Sequence, residues 1–158
     1  MIKVGGHPAL LNAKGQPSVD VISARRWSSA IFPDFPSDDL VRSCCTRGEL
    51  VKAFAVNGLD FISVETLESN ELALTAYLSE FSYAAVVLEA SAELFLFKDS
   101  TNRFSVVFGD PRLVKEVERE ASSDPGTDFR RWLDSADFST VERQYLELKL
   151  AVYGSGGA

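Results

Sequence analysis

Three runs of strand-forming residues lie close together between residues 82 and 108, and they constrain the fold more than any other feature. The runs are Ser82 to Glu89, Glu93 to Phe97 and Arg103 to Phe108, and short polar turns separate them. Such runs, rich in β-branched and aromatic residues, are typical of neighbouring antiparallel strands. We therefore predict a three-stranded antiparallel meander in this region.

The middle run of the meander is apolar on both of its faces. Because side chains alternate along a strand, Leu94 and Leu96 share one face, and Phe95 and Phe97 share the other. A strand with two apolar faces needs cover on both sides of its sheet, and helices commonly provide it. We expect helices to pack against one or each face of the meander.

Capping residues, apolar periodicity and glycine or proline breaks predict the remaining elements. For the first part of the chain we predict an irregular stretch over residues 1–20, a short strand at Val19–Ile22 and a helical turn at Ala24–Ile31. We then predict a helix from Asp39 to Cys45, followed by a second helical stretch that begins at the Thr46–Glu49 capping box and buries Leu50, Val51 and Phe54. Just before the meander we predict a strand at Leu59–Glu65 and a helix at Ser69–Phe81. After the meander we predict a helix beginning at Pro111 with Asp110 as its N-cap, a helical turn around Phe129–Leu133 and a helix from the Ser139–Glu142 capping box to Gly154. The segment 69–81 also fits a strand, so its assignment stays open.

This order of elements, helices followed by a β-meander and then by more helices, is typical of an α+β domain. At 158 residues the chain has the length of one domain. We predict a single α+β domain over residues 1–153, in which an antiparallel three- or four-stranded β-meander is packed by N- and C-terminal helices. The glycine-rich residues 154–158 are expected to form a flexible tail.

The negative charge of the chain is concentrated in one segment. The formal net charge is −7, and the forty residues from Gly58 to Phe97 contain no Lys or Arg. The acidic residues of this segment are Asp60, Glu65, Glu68, Glu71, Glu80, Glu89 and Glu93. The rest of the chain holds 16 acids and 16 bases, so the segment accounts for the whole net charge. It forms either a solvated face that aids solubility or a docking surface for a basic protein partner, with these seven residues as the partner-binding candidates.

The composition argues against several classes of function. A nucleic-acid-binding or membrane-surface protein would carry clustered Lys and Arg, whereas this chain is acidic. Its apolar runs are far shorter than the ~20 residues of a spanning helix, and the first residues do not have the pattern of a secretory signal. Cys44 and Cys45 are adjacent, so a disulfide between them would be strained. We therefore expect a cytoplasmic protein with reduced thiols that binds neither nucleic acid nor membrane.

The sequence offers no set of residues that predicts catalysis. His7 is the sole histidine and lies near a terminus, while a catalytic triad needs a base held beside a nucleophile. His7, Cys44 and Cys45 do not have the spacing of metal ligands, and the chain has no phosphate-binding or dinucleotide-binding motif. Paired carboxylates are abundant, but nothing singles out one pair. We predict a non-enzymatic protein without catalytic residues, cofactor or metal.

One stretch resembles a known group of proteins. From Tyr83 the chain reads Tyr-Ala-Ala-Val-Val-Leu-Glu, then Leu-Phe-Leu-Phe-Lys-Asp, then Arg-Phe-Ser-Val-Val-Phe-Gly-Asp-Pro, as far as Val114. This stretch, about a fifth of the chain, resembles the small cytoplasmic immunity proteins that accompany bacterial polymorphic toxins, including those of contact-dependent growth inhibition. The resemblance implies a stoichiometric inhibitor that binds a cognate toxin domain and blocks its active site. Such interfaces are specific to each pair, so no functional residue is carried over.

Two other functions remain open from the sequence. A secretion chaperone-like adaptor is also a small, acidic α+β protein, but it would dimerise and expose apolar grooves to hold an extended partner segment. A small enzyme would show a deep pocket in which polar groups converge. An immunity protein would instead bind a folded toxin domain, such as a basic nuclease, through its charged face.

Overall fold

The computed structural model describes residues 2–4, 7–12, 16–45, 50–57, 60–80, 83–89, 93–99, 101–121 and 124–154. Its strands are β1 Ile2–Val4, β2 His7–Leu11, β3 Ser28–Pro33, β4 Leu50–Asn57, β5 Asp60–Glu68, β6 Tyr83–Glu89, β7 Leu94–Lys98 and β8 Phe104–Gly109. Its helices are α1 Val19–Ala24, α2 Asp38–Cys45, α3 Glu71–Glu80, α4 Pro111–Ala121, α5 Pro125–Ser135 and α6 Thr140–Tyr153. The predicted α+β class is confirmed.

The main sheet contains six strands in the order β3-β8-β7-β6-β4-β5, and every neighbouring pair is antiparallel. Its centre is the predicted meander of β6, β7 and β8, in which Phe95 of β7 lies between Val87 and Phe108 of its neighbours. The sheet is larger than the predicted meander because β3 extends it beyond β8 and the β4–β5 hairpin extends it beyond β6. Within the described residues, a separate two-stranded sheet joins β1 to β2.

Helices cover both faces of the meander, as the two apolar faces of β7 predict. Leu94 and Leu96 belong to a core that includes buried residues of α2, α3 and α4. Phe95 and Phe97 belong to a second core, built with Leu10 and Leu11 of β2 and with buried residues of α5 and α6. The sheet therefore separates two layers of helices, and each layer contributes a different part of the surface.

The structure reverses two predictions in the first third of the chain. Val19–Ala24 is a helix rather than a strand, and the Ser18 hydroxyl accepts a hydrogen bond from the Val21 N–H at 3.3 Å as its N-cap. Ser28–Pro33 is a strand rather than a helical turn, because all six of its residues pair with β8. Residues 1–20 are also less irregular than predicted, since they contain β1, β2 and the start of α1.

The predicted second helical stretch is wrong as well. Leu50–Asn57 is strand β4, which pairs with β5 on one side and β6 on the other. Its proposed capping box, Thr46–Glu49, lies outside the described residues. Pairing on both edges fixes this segment as a strand, and no local periodicity reveals such long-range pairing.

The remaining predicted elements are confirmed, and some are longer than expected. The strand at 59–65 is β5, the open segment 69–81 contains α3, and the helices predicted from residues 39 and 111 are α2 and α4. The helical turn around Phe129 is part of α5, which runs for 11 residues. The Ser139 hydroxyl caps α6 by accepting a hydrogen bond from the Glu142 N–H at 3.1 Å, and Gly154 ends this helix. Residues 155–158 of the predicted tail lie outside the described residues.

Candidate protein-binding surface

The residues of the acidic segment are distributed over several elements. Glu65 and Glu68 are exposed on β5, the edge strand of the sheet, and Glu71 is half-buried at the start of α3. Glu80 is exposed at the far end of α3, about 14 Å from Glu71 along the helix axis. Asp60 begins β5, Glu89 ends β6 and Glu93 occupies the turn before β7. Asp60 lies about 26 Å along β5 from Glu68, so the seven candidates do not form one continuous surface.

Three of the candidates lie close to the start of α3. Glu68 ends β5 only three residues before Glu71, and the Asn70 side-chain amide between them donates a hydrogen bond to Glu68 at 3.2 Å. Glu65 lies on the same side of β5 as Leu67, because alternate residues of a strand share a face. Leu67 packs against the core formed with α2, α3 and α4, which places Glu65 on the side of the sheet that carries α3.

Two acidic residues from outside the segment join this cluster. Asp38 and Asp39 form the first turn of α2, where a helix dipole favours negative charge. Arg42 connects the two helices, since its guanidinium lies 3.0 Å from the Asp39 carboxylate and 3.5 Å from the Glu71 carboxylate. We call Asp38, Asp39, Glu71 and Leu72 the acidic patch, with Glu65 and Glu68 of β5 at its margin.

An exposed leucine lies within the acidic patch. The Leu72 side chain is 82% exposed, the largest exposure of the large apolar residues in the described part of the chain. Together with Asp38, Glu71 and Thr75 it lines a shallow depression between α2 and α3. An apolar side chain beside two carboxylates offers a partner both a hydrophobic anchor and a negative electrostatic field.

The charge of the acidic patch also affects the residue beneath it. Burial raises the pKa of the Cys45 thiol, and the Glu71 carboxylate raises it further. A thiol with a raised pKa is a poor nucleophile at neutral pH because little thiolate forms. Cys44 is buried in the adjoining core. These surroundings agree with a packing role for both cysteines.

Glu93 has intramolecular partners that separate it from the other candidates. Its carboxylate accepts hydrogen bonds from the Arg25 guanidinium at 2.6 Å and the Trp27 indole N–H at 2.8 Å. The Arg25 guanidinium also lies 5.1 Å from the centre of the Trp27 ring. The Glu93 carbonyl accepts a hydrogen bond from the Asp110 N–H at 2.8 Å. Through these hydrogen bonds Glu93, which precedes β7, is connected to the residues just before β3 and to the residue just after β8.

Sequence reasoning did not identify three members of the acidic patch, namely Asp38, Asp39 and Leu72. The two aspartates precede the acidic segment by about 20 residues, and only the packing of α2 beside α3 brings them to it. Leu72 fits the apolar pattern of a buried helix face as well as Leu74 does. If Leu74 and Leu78 are taken as the buried side of α3, a helical wheel places Leu72 on the opposite, solvent-facing side.

No family model, curated protein or solved structure matches this chain. Among the residues that the structure describes, no three His, Cys, Asp or Glu side chains are placed to hold a metal ion. No helix in the described ranges is long and apolar enough to cross a membrane.

Proposed function

We propose that the protein is a non-enzymatic immunity protein that binds a cognate toxin domain through the acidic patch and thereby neutralises it. The observation that carries this proposal is the exposed Leu72 side chain beside the carboxylates of Asp38 and Glu71. Among the described residues, Arg42 forms ion pairs within this patch, with Asp39 and Glu71. The resemblance of residues 83–114 to immunity proteins supports the class of partner. A toxin domain with a basic face, such as a nuclease, has the complementary charge.

The two components of the acidic patch have different physical roles in such a complex. Exposed carboxylates attract a basic surface over a distance of about 10 Å at moderate ionic strength, so they accelerate encounter. Each exposed ion pair adds only about 0.2–1 kcal/mol to the affinity. Leu72 gains more from burial, because removing a leucine side chain from water contributes about 1.5–3 kcal/mol. The carboxylates therefore control association, and the leucine controls dissociation.

The direct test begins with the genes next to that of this protein, one of which we expect to encode a toxin domain. The protein is then co-expressed with that toxin domain. We expect the protein to restore growth of cells that express the toxin domain and to form a one-to-one complex with it in size-exclusion chromatography. Growth inhibition that persists despite equal expression and an intact fold would refute the proposal. Rescue without a complex would contradict inhibition by binding.

Charge reversal at Glu65 and Glu68 should slow association with that toxin domain. Both residues are exposed, so the double variant Glu65→Lys/Glu68→Lys changes the local field without removing a core contact. We expect a roughly tenfold or greater loss of association rate at low salt and a shallower dependence on salt. Stopped-flow or surface-plasmon measurements at low and high salt would show both changes.

The matched control for this variant is Asp20→Lys/Asp137→Lys. Asp20 lies on α1 and Asp137 between α5 and α6, so the same change in net charge is made in the other helix layer. Equal association rates for the two double variants would show that net charge, rather than the acidic patch, attracts the partner. Unchanged rates in both would leave the acidic segment with a role in solubility alone.

Replacing Leu72 with aspartate should accelerate dissociation and leave the fold intact. Because this side chain is mostly exposed, the free energy of unfolding should change by less than about 0.5 kcal/mol. Loss of the buried anchor should weaken the complex by roughly tenfold to 100-fold, mainly through the dissociation rate. Val19→Asp, at another exposed apolar residue, is the control and should bind normally. Wild-type affinity of Leu72→Asp would remove Leu72 from the interface.

A secretion chaperone-like adaptor remains the second candidate because of an exposed apolar stripe on α6. Val141, Leu148 and Val152 are 75%, 65% and 42% exposed. Their spacing of seven and four residues places them along one side of the helix. A chaperone of this kind would dimerise, so sedimentation equilibrium distinguishes the candidates. A stable homodimer that does not bind the toxin domain would favour the adaptor.

A further inference from the structure

The outward side of α6 is an uncharged surface, which we call the α6 face. Its five residues are all exposed, and they are Val141, Gln144, Leu148, Ala151 and Val152. On the opposite side of the helix, Leu146 and Tyr153 are buried in the core of this layer. The α6 face is about 16 Å long, and the sheet separates it from the acidic patch. Three of the five large apolar side chains that are exposed in the described part of the chain belong to it.

The spacing of the α6 face is that of a helix that packs against a second helix. Val141, Gln144, Leu148 and Ala151 follow one another at intervals of three, four and three residues. This is the spacing of a coiled-coil seam, in which side chains of one helix enter holes on the other. Gln144, Glu147 and Leu148 line a shallow depression of about 390 Å³ at the middle of the α6 face. A side chain of a facing helix can enter this depression.

The α6 face is complementary to itself when two copies lie antiparallel. With the two-fold axis beside residue 146, Val141 is opposite Ala151 of the second copy, and Gln144 is opposite Leu148 of the second copy. A β-branched side chain then meets a small one at each end, while the leucines lie near the axis. A two-fold contact of this kind uses the same surface on both copies. The antiparallel orientation also places opposite ends of the two helix dipoles beside each other.

The charges around the α6 face compensate one another. Residues 125–153, which contain α5 and α6, hold five acids and four bases. Arg103 adds a fifth base, because its guanidinium lies 3.2 Å from the Glu142 carboxylate. Glu147, at the border of the face, lies 3.3 Å from the Arg130 guanidinium. In a chain with a net charge of −7, a second copy can approach this layer without net repulsion, whereas the acidic patch repels it.

We propose that the protein forms a two-fold symmetric homodimer in which the α6 faces of two copies pack antiparallel. The neutral, self-complementary face favours a second copy, while a basic toxin domain is attracted to the acidic patch in the other layer. The contact is smaller than the roughly 800 Å² per partner of a standard interface, so the dimer should be weak, with a Kd on the order of 100 μM. This inference does not depend on the proposed immunity function, because the acidic patch faces away from the dimer contact.

Sedimentation equilibrium tests the dimer directly over a range from about 5 μM to about 1 mM protein. We expect the weight-average mass to rise from that of one chain towards that of two. Amide chemical shifts should change with protein concentration at Gln144, Leu148 and Ala151. A monomer at the highest concentration would overturn the proposal, as would concentration-dependent shifts that are confined to other elements.

Charge placed on the α6 face should prevent self-association. Leu148 is 65% exposed, so Leu148→Glu should keep its fold and weaken the dimer at least about tenfold. Ala151→Glu is the second variant, and it introduces the charge at an exposed position without removing an apolar anchor. Wild-type self-association of either folded variant would refute the proposed contact.

The matched control is Leu72→Glu, which makes the same substitution at an exposed leucine in the other helix layer. This variant should self-associate like the wild type. An equal loss of self-association in Leu72→Glu and Leu148→Glu would show that added net charge, rather than the α6 face, prevents the contact, and would overturn the proposal. Leu148→Glu should bind the toxin domain normally, so failure of the homodimer and failure of the immunity function give different results.

Disulfide cross-linking tests the antiparallel orientation. Val141→Cys and Ala151→Cys, prepared separately, should form a covalent dimer when the two variants are mixed and oxidised, and little dimer when each is oxidised alone. The wild type measures the background from Cys44, which is buried, and Cys45, which is half-buried. Efficient cross-linking of each variant with itself, and none between the two, would overturn the antiparallel orientation.

The toxin domain is the alternative occupant of the α6 face. If the wild type stays monomeric and the toxin domain shifts the amide signals of α6, the face belongs to that partner and the homodimer is refuted. We expect the opposite result, in which protein concentration shifts the signals of α6 and the toxin domain shifts those of α2 and α3.

Discussion

Replacing Gly109 with alanine should destabilise the fold by about 3–5 kcal/mol, among the largest effects expected for a single substitution. Gly109 has a φ of +138°, a conformation that residues with a side chain rarely adopt. A Cβ atom at this position would lie 1.7 Å from the Glu93 carbonyl oxygen and 2.7 Å from its carbon. Both contacts are with backbone, which cannot move aside as a flexible side chain can.

The neighbours of Gly109 make the expected loss larger. Gly109 pairs with Leu94 of β7 and with Ser28 of β3, at the end of the strand that joins them. A shift of the Glu93 carbonyl would also disturb its hydrogen bond with the Asp110 N–H, which leads into α4. Three elements therefore meet at this glycine. The substitution should lower the urea midpoint with little change in the slope of the transition.

Gly126→Ala is the matched control for Gly109→Ala. Gly126 lies in the first turn of α5, and among the described residues a Cβ atom there would meet only the Asp124 carboxylate, at an ordinary 3.7 Å. Alanine restricts the unfolded chain more than glycine does, so this variant should be equally stable or gain about 0.4–1 kcal/mol. Similar urea midpoints for the two variants would contradict the close approach of Gly109 to Glu93.

The elements that could be predicted from the sequence are those with strong local signals. The meander was predictable because its three strands are consecutive in the chain, and each pairs with the next one. Helices α4 and α6 begin at the capping residues Asp110 and Ser139, whose side chains accept hydrogen bonds from backbone N–H groups only two or three residues further along the chain. Strands β3 and β4 were assigned wrongly because their partners are distant in the chain, with Ser28 paired to Gly109 and Lys52 to Val87. Their conformation is decided by pairing rather than by local preference.

The candidate sites were predictable only in part, for a similar reason. The sequence located the charge of Glu65, Glu68 and Glu71, because these residues are close in the chain. It could not show that α2 packs beside α3 and adds Asp38 and Asp39 to them. The hydrogen bonds that Gln16 donates to Asp99 and Tyr145 could not be predicted from the sequence either, since these residues come from three distant segments. Sites assembled from distant segments have no signature in local spacing.

The free energy of unfolding should fall steeply above about pH 10 because of Tyr153. This residue is 2% exposed, and its hydroxyl donates a hydrogen bond of 2.6 Å to the Pro17 carbonyl. Burial raises the pKa of Tyr153, and the nearby Tyr145 and Asp99 raise it further. In the unfolded chain the tyrosine ionises near pH 10, while in the folded protein it keeps its proton.

The direction of the effect follows from proton binding. Because the folded pKa is the higher one, the folded state holds more protons than the unfolded state above about pH 10, and stability decreases as pH rises. The contribution of Tyr153 to the free energy of unfolding is fully present below about pH 10. Above that pH it decreases by about 1.4 kcal/mol for each pH unit. Burial lowers the pKa of Lys98, which acts in the opposite direction as pH rises towards the ordinary lysine value.

The variant Tyr153→Phe isolates the contribution of Tyr153 from those of the other titrating groups. At pH 8 it should be less stable than the wild type by about 1–2 kcal/mol, because the buried Pro17 carbonyl loses its donor. Above about pH 10 the wild type alone loses the Tyr153 contribution, so the two unfolding free energies should converge near about pH 11. The contribution of Lys98 is the same in both proteins and cancels in the difference. Urea unfolding at intervals from pH 8 to pH 11.5 measures this difference, and tyrosinate absorbance follows the ionisation directly. A difference between the two proteins that stays constant over this range would show that Tyr153 ionises as readily in the folded protein as in the unfolded chain.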